Sequence, residues 1–114
     1  MTAKQLNLLL IEKFPELKLK YQDDVDWQDG DETVSHIVYG DVFAPYVEEC
    51  IDKKMDNKLK RIFTFIEEIL SMNDTYSMEV ILFSVLERIK ADRTRTDVSK
   101  FYLGKSTLLW FDRI

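Results

Sequence analysis

Two amphipathic helical windows stand almost end to end in the middle of the chain, and they constrain the fold more than any other feature. NKLKRIFTFIEEILSM sets Leu59, Ile62, Phe63, Ile66, Ile69 and Leu70 at three- and four-residue spacing, which gathers them on one broad apolar face. Asp74 is placed to cap a second window, TYSMEVILFSVLERIKA, where Met78, Ile81, Leu82, Val85, Leu86 and Ile89 repeat that spacing. Only the short polar link SMND joins them, so the two helices must fold back on each other as an antiparallel hairpin. The rest of the chain has to cover their outer faces.

That remainder also reads as helical, as expected of 114 residues with 46% hydrophobic content but only three glycines and two prolines. Thr2-Ala3-Lys4-Gln5 is a capping box for a helix over about Ala3–Lys13, with Leu6, Leu9, Leu10 and Phe14 inward and Leu8 and Ile11 widening the stripe. Pro15 ends it and opens a short second helix with Leu17, Tyr21 and Val25 inside. Gly30 permits a turn. Thr33–Tyr39 fits a short helix with Val34, Ile37 and Val38 as its stripe, although its β-branched residues also fit an extended strand. Asp41 reads as the N-cap of a further helix over about Val42–Lys54 that buries Phe43, Tyr46, Val47, Cys50 and Ile51, with Pro45 in its first turn. Asp56 reads as the cap of the central helix. In the tail, Gly104 suits a left-handed helix end, Ser106 a new cap, and Leu108, Leu109, Trp110 and Phe111 are apolar enough to close the core. The fold class is therefore all-α: a single compact domain over residues 1–114, about six helices in antiparallel hairpins, with HEAT-like stacking.

Composition excludes several function classes. The lone Cys50 cannot form an intramolecular disulfide, the N-terminal residues lack the pattern of a secretory signal, and no apolar run is long enough to cross a membrane, so a cytoplasmic protein is expected. Net charge is −5, but its placement is uneven: Gln22–Asp52 holds ten acids and no lysine or arginine, leaving +5 on the remainder. An acidic lobe of this kind repels phosphate and steers basic proteins, which makes a basic protein partner the expectation and nucleic acid an unfavourable one. The basic run Arg88–Lys105 is the one segment that could touch a phosphate backbone; a solvated helix face is its simpler reading.

The acidic stretch does not carry recognisable site chemistry. Numbered from Asp24 as an EF-hand loop, Asp29 falls where glycine is required and Ser35 where the bidentate glutamate is required, so the calcium pattern fails. A metal or hydrolytic centre would have to use Glu32, the only histidine His36, and Asp41; zinc with one histidine and no cysteine partner lacks its usual ligands. Cys50 with His36 and Asp41 is the one Cys/His/Asp set, and its apolar helix face disfavours a reactive thiolate. The glycines stand too far apart for a phosphate-cradling loop. No catalytic, metal or cofactor residues are therefore assigned. The expected contacts are with a protein, through Asp23, Asp24, Asp26, Trp27, Asp29, Asp31, Glu32, His36 and Tyr39: aromatic anchors amid steering carboxylates. Trp27 has a simpler reading as a plug between the second and third helices.

The succession KFPELKLKYQDDVDW, GDETVSHIVYGDVFAPYVEECIDK and KLKRIFTFIEEILS resembles a group of small, uncharacterised bacterial proteins seen in Bacillus-like species, over nearly the whole chain. The most specific part is GDE-T-x-x-H followed by GDV-F-x-P-Y, Gly30 to Tyr46. The resemblance implies a helical fold and an accessory or immunity-type role near polymorphic toxins; it transfers no catalytic residue. Together these readings give a non-enzymatic interaction module, of immunity type, that neutralises a basic toxin or effector through its acidic surface. Two alternatives stay open: a metal-binding protein or small hydrolase centred on Glu32, His36 and Asp41, and an adaptor that self-associates through the Trp110-Phe111 tail.

Overall fold

Caps and prolines set the helix boundaries. Thr2 and Gln5 form the expected box, each side chain accepting the other's backbone N–H at 3.1 and 2.9 Å, and α1 runs Ala3–Lys13. Pro15 then starts a 3-10 turn (Pro15–Leu17) that leads into α2 (Lys18–Val25). A second 3-10 turn (Gly30–Glu32) precedes α3 (Ser35–Val38). The computed structural model describes residues 1–114 and continues with α4 (Ala44–Asp52), α5 (Asp56–Leu70), α6 (Thr75–Ile81), α7 (Glu87–Lys90), α8 (Arg93–Ser99) and α9 (Lys105–Phe111), with no strand. π turns at Tyr39–Phe43 and Leu82–Leu86 splice α3 to α4 and α6 to α7, so the nine segments make seven rods.

The first π turn follows from Pro45. A proline inside a rod has no N–H to give and its ring crowds the carbonyl one turn back. The chain accommodates it by widening the preceding turn, so that the Ala44 N–H reaches back five residues to the Tyr39 carbonyl. The Gly40 carbonyl is then left without either nearby amide, since Ala44 is already committed and Pro45 has none. Arg88 supplies the missing donor, its Nη1 lying 2.6 Å from that oxygen. Asp41 is consequently not an N-cap: it sits in mid-rod, on the outside.

At the other end of α4, the Met55 N–H bonds the Cys50 carbonyl and the Lys54 N–H bonds that of Ile51, a Schellman closure with Lys54 left-handed at φ 51°. Asp56 begins α5 without a side-chain capping bond, whereas Asp74 does cap α6, accepting from the Ser77 N–H at 3.0 Å. α5 is the hub. It buries Leu59, Ile62, Phe63, Phe65, Ile66, Ile69 and Leu70 and packs on α4, α6 and α9. Phe65 joins Phe14 and Phe43 in a three-ring cluster with centroids 5.3 to 5.7 Å apart, tying the end of α1 and the first π turn to the hub. The core is one continuous set of 28 buried residues.

Several inward assignments fail. Val34 and Ile37 face solvent while Val38 is buried, because the helix starts at Ser35 and turns their side away from α1. On α1 the buried positions include Asn7, while Leu8 is exposed. Gly104 is extended (φ −74°, ψ 175°) and begins α9 instead of ending a helix in the left-handed region. Of the four tail residues expected to close the core, only Phe111 is fully buried; Leu108 and Leu109 are exposed and Trp110 is half-buried.

Candidate partner-binding surface

The acidic loop is rigidly built from a buried polar centre. Asn7 of α1 donates both amide hydrogens to carbonyls of the loop, Asp31 at 3.0 Å and Thr33 at 2.7 Å, and its Oδ1 accepts from the Ser35 hydroxyl at 2.8 Å. Asn7, Thr33 and Ser35 are all buried. Gly30 takes φ +59°, a left-handed turn that favours glycine, and its carbonyl accepts the Thr33 hydroxyl at 2.7 Å. Asp31 accepts the Tyr21 hydroxyl at 2.8 Å; burial, followed by that carboxylate, drives the Tyr21 phenol well above its ordinary range. The Ser35 N–H finishes the set by donating to the Tyr76 hydroxyl at 3.1 Å.

Charge pairing divides the ten acids of Gln22–Asp52 in two. Glu48 is gripped by Arg88 and Arg95, each at 2.6 Å, Asp52 by Arg95 at 2.9 Å, and Glu49 by Lys53 at 2.7 Å. Arg88 and Arg95 are thereby engaged within the protein itself, which removes two of the cations that made Arg88–Lys105 a phosphate-binding candidate. By contrast, Asp23, Asp24, Asp26, Asp29, Asp31, Glu32 and Asp41 form no ion pair. Asp24 even faces a like charge: partial burial, then the neighbouring Asp41 carboxylate, hold its carboxyl above the usual range, against the opposing pull of Lys20. One oxygen of Asp24 is buried without any hydrogen-bond partner.

The aromatic residues assigned to this surface separate as sharply. Trp27, just beyond α2, is 89% exposed amid the unpaired acids, so it plugs no junction. Tyr39 is wholly buried, its hydroxyl donating to the Leu6 carbonyl at 2.7 Å; it cannot touch a partner, and its assignment as a contact is corrected by its place in the core. His36 is half-buried on the far side of α3, with Nδ1 3.1 Å from the Ser84 hydroxyl and its ring edge-on to Tyr76. The exposed surface is thus Asp23, Asp26, Trp27, Asp29, Asp31 and Glu32, with Asp41 exposed on the neighbouring helix and Asp24 half-buried. Glu32, His36 and Asp41 do not assemble, and nowhere do three His, Cys, Asp or Glu side chains converge as metal ligands. Cys50 lies in the core, where burial raises its thiol pKa. No helix is long and apolar enough to cross a membrane.

A family model described as a domain of unknown function, DUF7674, matches residues 7–114. The chain belongs to this family. No curated protein and no solved structure matches it. The DUF7674 match takes in the whole Gly30–Tyr46 segment, and in this chain most of that segment serves the fold. Gly30 and Thr33 shape the loop, His36 meets Ser84, Gly40 receives Arg88, Pro45 widens the helix, and Tyr46 donates to Glu16 at 2.6 Å. Sequence reasoning missed Asn7, Arg88 and Glu67. Asn7 was detectable as an amide on the apolar side of α1, between Leu6 and Leu10; the other two act on partners some forty residues distant, which local spacing does not reveal.

Proposed function

We propose that this DUF7674 chain is a non-enzymatic interaction module that holds a basic protein on the ridge Asp23–Glu32, in the manner of an immunity protein occupying the cations of a toxin or effector. One observation carries the reading: the seven acids from Asp23 to Asp41 have no lysine or arginine partner, and a nearly fully exposed tryptophan projects among them. By contrast, Glu16 and Glu48, which bridge to neighbouring elements, are each paired with an arginine. Arginine and lysine side chains of a partner would supply the missing counter-charges, relieve the Asp24–Asp41 repulsion and stack on the Trp27 ring. The loop behind the ridge is held by Asn7, so the surface is preorganised and binding need not order it.

The test is capture of binding proteins at low and at high salt by the wild type, by Trp27→Ala, and by a variant with Asp23, Asp26, Asp29 and Glu32 changed to lysine. These four acids make no side-chain bond in the fold, whereas Asp24 and Asp31 touch other groups, so only the four are changed. A basic protein bound by the wild type at low salt, released by salt and lost in the lysine variant is the expected result. Equal binding by wild type and variant at both salt concentrations overturns the proposal.

A further inference from the structure

An unpartnered stripe runs along the outside of α6 into the π turn that follows it. Thr75, Met78, Glu79, Leu82 and Phe83 recur at the three- and four-residue spacing with which a helix buries one face, and with Trp110 of α9 they line an open groove of about 320 Å³. Leu82 is buried and Met78 and Trp110 are half-buried, but the Phe83 ring is 51% exposed beside them. Leu109, one helical turn before Arg113 and 57% exposed, extends the apolar surface on the α9 side. The two walls also carry opposite charges that the chain does not use. Glu79 stands on the α6 wall, and the Arg113 guanidinium lies 5.7 Å over the Trp110 ring of the other wall; neither forms an ion pair within the chain. The π turn Leu82–Leu86, which carries Phe83, has no proline to impose it, and turns of this class are frequent at functional sites.

We propose that this groove docks a second copy of the chain across a two-fold axis passing beside Phe83. The Phe83 ring of each copy enters the groove of the other, and the α6 wall of one copy faces the α9 wall of the other, so that Glu79 of each copy meets Arg113 of the other. A two-fold contact needs one surface that carries both the projecting group and its recess, and both members of every charge pair. The α6–α9 surface carries all four. Room is sufficient, since an apolar cavity of about 150 Å³ already admits a benzene ring. The occupant follows from the charges: one acid and one base on facing walls complement a rotated copy of themselves, whereas a uniformly acidic or basic partner would leave one of them opposed by a like charge. The ridge Asp23–Glu32 shares no residue with this surface, so pairing leaves both ridges free.

Sedimentation equilibrium of the full chain, carried up to about 1 mM, tests this, because a dissociation constant of that order is still visible there. The wild type should reach the dimer mass, and Phe83→Asp should remain a monomer with unchanged helical circular dichroism. Glu79→Arg and Arg113→Glu should each weaken dimerisation on the order of tenfold or more, and the two together should restore it, because the charges are then merely exchanged. The variant with Asp23, Asp26, Asp29 and Glu32 changed to lysine should dimerise as the wild type does, which separates this surface from the ridge. Four results overturn the proposal: a monomer at every concentration, a dimer that survives Phe83→Asp, a double charge exchange no better than the single reversals, or a dimer lost in the ridge variant. If Phe83→Asp fails to fold, the reversals at the exposed Glu79 and Arg113 decide the matter.

Discussion

Gly104→Ala is the substitution with the most informative sign. Gly104 has φ −74° and ψ 175°, ordinary extended backbone that alanine adopts freely, so on conformational grounds the change should stabilise the protein by about 0.5 kcal/mol through the unfolded state. The space, however, is taken. A Cβ built there lies 2.6 Å from the Glu67 Cδ and Oε1 and 2.8 Å from its Cγ. A free carboxylate would swing aside at little cost, but this one holds three hydrogen bonds at the start of α9. Displacing it removes an N-terminal cap and leaves the buried Thr107 hydroxyl to find another partner, a loss of about 2 kcal/mol. Glu67→Ala should cost a similar amount for the same reason. With Glu67 already truncated there is nothing to clash with, and Gly104→Ala in that background should be neutral or stabilising by about 0.5 kcal/mol. The coupling between the two positions is then about 2 kcal/mol, well outside the additivity expected of independent sites. Urea unfolding of the four proteins at neutral pH measures it. An equal cost for Gly104→Ala in both backgrounds would refute the account. Acid supplies a second check. Burial pushes the Glu67 carboxyl up, but the hydrogen bonds from Thr107 and Ser106 outweigh it and hold it below the ordinary 4.5. The lowered folded value means that the cap's contribution is fully present above the unfolded carboxylate range and is lost as the pH falls through and below it. The stability gap between wild type and Glu67→Ala should therefore close on acidification.

Asn7→Leu should destabilise by about 3 kcal/mol in thermal or urea unfolding, because it strands two loop carbonyls, although the Ser35 hydroxyl keeps the Ala3 carbonyl as an acceptor; a loss below 1 kcal/mol would show that the loop does not depend on this centre. Lys54→Gly should raise stability by about 1 kcal/mol, since a left-handed Schellman position favours glycine, and an unchanged urea midpoint would argue against the strain. Ser99→Ala should also stabilise, by about 1 kcal/mol, as the buried Ser99 hydroxyl has no hydrogen-bond partner; destabilisation would mean that the hydroxyl is satisfied in solution.

The legible part of this fold was what depends on near neighbours in the chain. Periodicity located α5 and the α6–α7 rod, the Thr2 box fixed the start of α1, and Asp74 capped where its position said it should. The misreadings at Asp41, Asp56, Gly104 and Val34 share a cause. Each residue suits the local role assigned to it, and in each case a contact from a distant element, or a helix start shifted by packing, took precedence. Pro45 is the clearest example. Locally a proline behind a glycine-aspartate pair is a helix start, yet with an arginine 43 positions further on to satisfy Gly40, a continuous widened helix becomes the better solution.

The same long-range pairing separates the acids held by the protein's own arginines from those that are not, and here sequence alone could not have sufficed. Read along the chain, Gln22–Asp52 is one uniform acidic tract with no base inside it. Folding brings Arg88 and Arg95 across from α7 and α8 onto Glu48 and Asp52, which converts the end of the tract into an internal brace of α4. What stays unpaired is the seven acids from Asp23 to Asp41, most of them around the loop that Asn7 holds and beside the exposed Trp27. Folding itself has no need of so many uncompensated charges beside an exposed indole: partial burial and then the Asp41 carboxylate disfavour the charged form of Asp24, and salt screens the remainder without removing it. A fold that pairs three of the ten acids of this tract with its own bases and leaves the other seven without one has the charge pattern that the proposed basic partner would complete.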